Sequence, residues 1–184
     1  MGISKHSALI VIDLQEGIVD KVPTEIAAPV ISNSLALCEA FERAQLPVFI
    51  VNVAGRTKGL TDVQQRAPQS VQSSSATVWG PVIESLSNNP NFKYLTKYSW
   101  GAFTNTGLDE QLKNLGITHI YLTGIATSVG VESTARQAFE LDYNVVIVED
   151  AVADMDLVCH QHSCEKLFPK MSVLMSSEQI INAQ

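Results

Sequence analysis

Short apolar runs alternate along this chain with segments whose apolar positions recur every three or four residues. Ala8-Leu9-Ile10-Val11-Ile12 is almost wholly apolar and ends at Asp13, the pattern of a strand covered on both faces. Val48-Phe49-Ile50-Val51, His119-Ile120-Tyr121-Leu122-Thr123 and Val145-Val146-Ile147-Val148 repeat it, and Phe92 to Thr96 is a weaker version that ends at Lys97. Between these runs the period changes. Pro29 to Gln45 predicts a helix, with Val30, Ser34, Leu37 and Phe41 on one stripe and Ile31, Leu35 and Cys38 beside it. Pro29 suits its first turn and Pro47 stops it. Gly107 to Leu115 predicts a second helix, closed by Gly116.

The clearest unit is the strand at His119 to Thr123, a tight turn over Gly124 to Ser128, and a helix over Val129 to Leu141. On that helix Ala135, Ala138 and Phe139 are expected to face inward, with Glu132 and Arg136 as an exposed i,i+4 pair. A strand ending at Glu149-Asp150 follows, then a helix near His160 to Leu167, a strand at Val173-Leu174 and a short helix opened by the capping-box pattern Ser176-x-x-Gln179. From Ala54 to about Trp79 periodicity disappears and Gly, Gln, Ser and Thr dominate. Without internal repeats or linkers, the whole chain reads as one α/β domain with a mainly parallel sheet.

Composition narrows the partners. The 184 residues are 46% hydrophobic and 17% charged, which suits a single sizeable core rather than a disordered chain. A net charge of -7 repels phosphate backbones and anionic lipid, so neither nucleic acid nor membrane is expected as a partner. No apolar run approaches the roughly 20 residues that span a bilayer. The segment MGISKHS leads into the first strand without a signal-peptide pattern. Cys38, Cys159 and Cys164 form no disulfide framework. The cytoplasm is the expected compartment.

In open parallel sheets ligands bind beyond the carboxyl ends of the strands. The polar groups there are Asp13 with Gln15 and Glu16, Asn52, Lys97, and the turn from Gly124 to Gly130. An aspartate and a lysine meeting at that rim suit general acid or base chemistry, and equally a buried structural ion pair. Glu16 is either a second carboxylate of the site or solvent-facing. Arg56, Lys58 and Arg66 are cations for an anionic substrate, or members of an ordinary solvated loop. Trp79 caps the pocket or lies at a subunit interface. Cys159-His160-Gln161-His162-Ser163-Cys164 fits no common zinc spacing, and on a helix His160 and His162 point about 200° apart, so capping and packing is the better account. Cys38 reads as a core residue.

Three segments carry a family resemblance. Ala8 to Gln15 is similar to the opening motif of the isochorismatase-like hydrolases, the cysteine hydrolase superfamily. Lys97-Tyr98-Ser99-Trp100-Gly101-Ala102-Phe103 resembles that family's Lys-to-Phe segment, and Gly124 to Ala135 resembles its strand-turn-helix signature. The resemblance implies a three-layer α/β/α sandwich around a six-stranded parallel sheet, assembly into homodimers or homotetramers, a small-molecule substrate, and no cofactor or metal. It implies Asp13 and Lys97 as catalytic residues and puts Gly130 where most members carry the nucleophilic Cys. A thiol mechanism at the usual place is therefore closed. Nicotinamidases are a poor guide for a second reason: their Asp-x-His metal arm reads Asn52-Val53-Ala54 here.

Isochorismatases resemble this chain in keeping Asp and Lys with Gly for Cys. By that resemblance Asp13 protonates an enolpyruvyl methylene, while Lys97 positions acid and water and helps hold a substrate carboxylate. A cis peptide is expected at Ile125-Ala126, with Ala126 and Gly130 amides toward a substrate oxygen. Gly130 serving only close helix–strand packing is the plainer alternative. Gln15, Arg56, Trp100, Phe103, Ala126 and Thr127 are the expected substrate contacts, with Trp100 and Phe103 as apolar walls. Lys97 lowers the Asp13 pKa and burial raises it, and the sequence leaves the net sign open. A water-dependent amide or ester hydrolase and a silent binding module are the alternative functions.

Overall fold

The computed structural model describes residues 3–54 and 79–183. Six strands, β1 (Ser7–Ile12), β2 (Val48–Val53), β3 (Lys93–Lys97), β4 (His119–Ile125), β5 (Asn144–Ala153) and β6 (Val173–Met175), form one sheet in the order β3-β2-β1-β4-β5-β6. Every neighbouring pair is parallel. The chain builds outward from β1 to β3, then starts again on the other side of β1 at β4. That reversal makes the carboxyl ends of β1 and β4 the place where connections diverge and a crevice opens.

The uniform apolarity of β1 has its cause in two cores. Leu9 and Val11 face Ala27, Val30, Leu37 and Phe41 of α2 (Thr24–Arg43). Ala8, Ile10 and Ile12 face Leu108 and Leu112 of α3 (Leu108–Asn114) and Ala135 and Ala138 of α4 (Glu132–Glu140). Side chains alternate between faces along a strand, so both parities must be apolar when helices cover both sides. The expected three-layer α/β/α sandwich is the observed one. Leu37 and Phe41 are fully buried and contribute about 1.5–3 kcal/mol each by leaving water. Among the described residues no helix is long and apolar enough to cross a membrane.

Several element boundaries differ from the sequence reading. α2 begins at Thr24, so Pro29 lies inside the helix rather than in its first turn. The extra turn buries Ala27 in register with Val30, while Pro29 forgoes the backbone hydrogen bond its ring nitrogen cannot make. Phe139 is 51% exposed: one residue beyond Ala138, it falls off the edge of the buried stripe. β5 continues through Glu149-Asp150 to Ala153, with a register shift opposite Leu122/Gly124. Asp150 is held there by the Ser177 amide and hydroxyl, at 2.8 and 2.7 Å.

The late helix, α5 (Leu157–His162), starts earlier than expected because Asp156 caps it, accepting from the Val158 and Cys159 amides. It continues through a π-helical turn at Ser163–Leu167. The predicted capping box is present on α6 (Ser177–Ile181), with Ser176 and Gln179 bonded reciprocally at 3.2 and 3.0 Å.

Candidate functional site

Asp13 follows the last residue of β1 in the left-handed region, φ 52°, which aspartate tolerates better than most residues. Its amide donates to Val51 O at 2.8 Å and its carbonyl accepts from Gln15 N at 2.8 Å, so the backbone is fixed on both sides. Lys97 comes from the end of β3, two strands away, about 10 Å at the usual strand spacing. Its long stem crosses β2, and Nζ lies 2.7 Å from Asp13 Oδ2. Both side chains are buried, 7% and 2% exposed.

The ammonium of Lys97 also donates to Trp100 O at 2.8 Å and to Ser99 O at 3.2 Å. An ammonium has three protons, and these are three acceptors. Lys97 therefore has none left for a substrate carboxylate, which corrects that part of its expected role. It is a fixed counter-charge.

Asp13 Oδ1, by contrast, is buried with no hydrogen-bond partner among the described residues. Burial raises the Asp13 carboxyl from 3.8 to about 6, with Lys97 pulling against it. The opposition left open by the sequence resolves upward. One oxygen is tied to a cation, and the other is unpaired on an acid that titrates near neutrality.

Gly130 meets this pair. A Cβ built on it would lie 2.9 Å from Asp13 Oδ2, 3.0 Å from Ile12 Cγ2 and 3.6 Å from Lys97 Nζ. A side chain at position 130 would thus point at both ionised groups. The turn that brings it there starts where β4 and β1 nearly touch. Gly124 has φ 125°, and a Cβ there would collide with the Ile12 carbonyl. The Ile125-Ala126 peptide is cis, as the resemblance implied. The turn over Thr127–Val131 is π-helical rather than the start of a regular helix, with the Val129 and Val131 amides both on Ala126 O at 3.2 Å.

The expected substrate contacts fare differently. Gln15 is 2% exposed; its amide donates to Val53 O (3.1 Å) and Gly80 O (2.8 Å) and accepts from Val53 N (2.7 Å). Both its protons are committed to backbone, so it clasps the ends of β1 and β2 instead of presenting an amide to a ligand. Trp100 is 61% exposed and brings its carbonyl, not its indole, to Lys97. Phe103 packs against the α3/α4 core and Tyr143, with ring centroids 5.8 Å apart.

Ala126 and Thr127 are buried at the mouth of the turn, but the Thr127 hydroxyl is bonded to His160 Nδ1 at 2.9 Å. Arg56, Lys58 and Arg66 lie outside the described residues. Glu16 is exposed. Trp79 packs against the α2-side core with Lys21 Nζ 4.1 Å from its ring centroid.

The carbonyls of Ser99 and Trp100, which cage Lys97, had no signal in the sequence, because every residue has a carbonyl. The three cysteines are free. Burial holds the Cys38 thiol at about 12 and the half-buried Cys164 thiol at about 11, and Cys159 is exposed with its thiol pushed up. Cys164 Sγ lies 3.8 Å from His160 Nε2. No three His, Cys, Asp or Glu side chains among the described residues are grouped to hold a metal ion.

Comparison with known proteins places this geometry. The isochorismatase domain profile matches residues 7–179. The uncharacterized isochorismatase family protein YecD of Escherichia coli O157:H7 is 36% identical over 186 residues, covering 98% of this chain and 97% of that one. The ureidoacrylate amidohydrolase RutB of Enterobacter sp. (strain 638) is 31% identical over 172 residues, covering 80% and 75%. Among solved structures, an isochorismatase family protein from Burkholderia thailandensis superposes with a TM-score of 0.85 at 36% identity, over 98% of this chain and 96% of that one.

Proposed function

The chain belongs to the isochorismatase family of hydrolases, and we propose that it hydrolyses a vinyl ether of the isochorismate type on a small anionic molecule, using Asp13 and water without a thiol. The observation that carries this reading is the bare Gly130 facing an Asp13 whose free oxygen is unpaired and whose carboxyl titrates at about 6. A covalent route needs a side-chain nucleophile, and glycine has none. A vinyl ether needs only a proton donor and water. Oδ1–H gives its proton to the terminal methylene carbon, forming a C–H bond and an oxocarbenium ion. Water adds to the ether-bearing carbon of that oxocarbenium ion, forming the hemiketal, and returns a proton to Oδ1. The hemiketal then breaks its C–O bond, releasing pyruvate and the ring alcohol.

Lys97 anchors Oδ2 and offsets the carboxylate charge each time the proton leaves. A group titrating at about 6 is protonated about one-tenth of the time at pH 7, enough to act as acid and quick to recover as base.

A second reading has support of its own: RutB, a 31% identical relative, is an amidohydrolase. In that version ionised Asp13 takes a proton from water attacking an amide. The two readings differ in the sign of a pH profile. Pyruvate release from isochorismate should fall as pH rises through about 6 and vanish in Asp13→Asn. Amide hydrolysis should instead rise through the same value. Intact isochorismate after prolonged incubation at pH 5.5 refutes the vinyl-ether reading.

A further inference from the structure

Lys97 and Gly130 belong to different connections, one after β3 and one after β4, yet both must meet Asp13 to within a few tenths of an ångström. A buried hydroxyl joins the two connections. Thr134, on the first turn of α4 and fully buried, donates from Oγ1 to Gly130 O at 2.7 Å. The same Oγ1 accepts from Ala102 N at 3.1 Å. Ala102 lies two residues past Trp100, whose carbonyl, with that of Ser99, cages the Lys97 ammonium.

Resting on the Asp13–Lys97 reading of the site, we propose that Thr134 is the positioning residue that sets the Lys97 cage against the Gly130 turn, and so holds Lys97 on Asp13.

Two features separate this from an ordinary threonine bonding back along its own helix. The bond to Gly130 O is of that local kind, one turn upstream. The bond from Ala102 N is not, because it arrives from 32 residues away and occupies an acceptor lone pair of the same oxygen. Gln137, one turn further along α4, reinforces the same seam from a half-buried position: it accepts from Phe103 N at 3.1 Å and donates to Thr104 Oγ1 at 2.7 Å. Gly101 fits the seam because any Cβ there would run into the Gln137 amide. Gln137 holds the segment beyond Ala102, whereas Thr134 touches both the cage side and the turn.

The test needs no substrate, so its outcome is independent of which hydrolysis the enzyme performs. In Thr134→Val the shape is kept and both hydrogen bonds are lost. The Asp13 carboxyl is then followed by carbon-13 NMR titration of the free protein. Lys97 is the charged group that acts on this carboxyl among the described residues, and it lowers the Asp13 pKa. A loosened cage should therefore raise the midpoint above about 6 by up to about one pH unit. Thr134→Ser, which keeps the oxygen, should restore the original midpoint. An unchanged midpoint in folded Thr134→Val overturns the proposal and leaves Thr134 a packing residue. If the valine variant does not fold, Thr134→Ala is read by the same titration. Fast hydrogen exchange at the Ala102 amide of the unaltered protein also overturns it.

Discussion

Replacing Gly130 with alanine adds one carbon at the most crowded point of the site. Its Cβ would stand 2.9 Å from Asp13 Oδ2 and 3.0 Å from Ile12 Cγ2. An ordinary contact needs about 3.5 Å, so the carboxyl or the turn must retreat by roughly half an ångström. Neither moves freely, since Lys97 holds Asp13 at 2.7 Å and Thr134 holds the Gly130 carbonyl. Overpacking of this kind costs about 1–3 kcal/mol. Against it stands the gain from removing a glycine in helical backbone, about 0.4–1 kcal/mol. The net expectation is a loss of about 1–2 kcal/mol and a Tm lower by about 2–8 °C. Displacing an acid by about 1 Å can cost two orders of magnitude in rate, so kcat/KM should fall by about tenfold here. Calorimetry and a pyruvate-release assay on the same preparation give both numbers. A raised Tm with unchanged kcat/KM refutes the reasoning, because helix propensity alone would then decide the position and the Cβ direction would have no chemical meaning.

Other expectations come from the same pair. Because folding raises the Asp13 carboxyl from 3.8 to about 6, the folded state holds that proton more tightly than the unfolded chain. Its contribution to stability is complete below about pH 4 and is lost as pH rises through 6, about 3 kcal/mol by pH 7. Urea denaturation from pH 4.5 to 7 should show this slope in the parent and not in Asp13→Asn; equal slopes reject it. Lys97→Met keeps much of the buried stem's volume and removes the cation, so the Asp13 midpoint and the pH limb of activity should both move upward. A downward move contradicts Lys97 as the charge that lowers the Asp13 midpoint. Alkylation of exposed Cys159 should leave hydrolysis intact, with mass spectrometry reporting the label and buried Cys38 untouched; loss of activity in step with labelling restores a thiol to the mechanism.

Asp13 and Lys97 were legible because each ends a strand-like run, and a polar residue just beyond a strand buried on both faces falls at the sheet rim. The cis peptide was legible only by resemblance, and the closeness of Gly130 to Asp13 arises from a fold that no local pattern in the sequence spells out. Gln15 was misread for a physical reason. Its position beside Asp13 suggests ligand contact, whereas its three hydrogen bonds to Val53 and Gly80 arise from chain segments 38 and 65 residues away. Trp100 was valued for its indole and contributes a carbonyl. Pro29 and Phe139 show the limit of local rules. The helix runs a turn earlier than the proline suggests, and Phe139 falls one residue beyond the buried Ala138.

Lys97 sits at the end of β3, one of the two edge strands of the sheet, where Lys93, Tyr94 and Thr96 are exposed. Outer strands are the first to detach on warming, well before the centre of a domain lets go. The acid belongs to the most protected strand and its counter-ion to one of the least. Heat should therefore silence this protein at a temperature where most of its backbone amides are still shielded, so that inactivation and melting part company as two separate events.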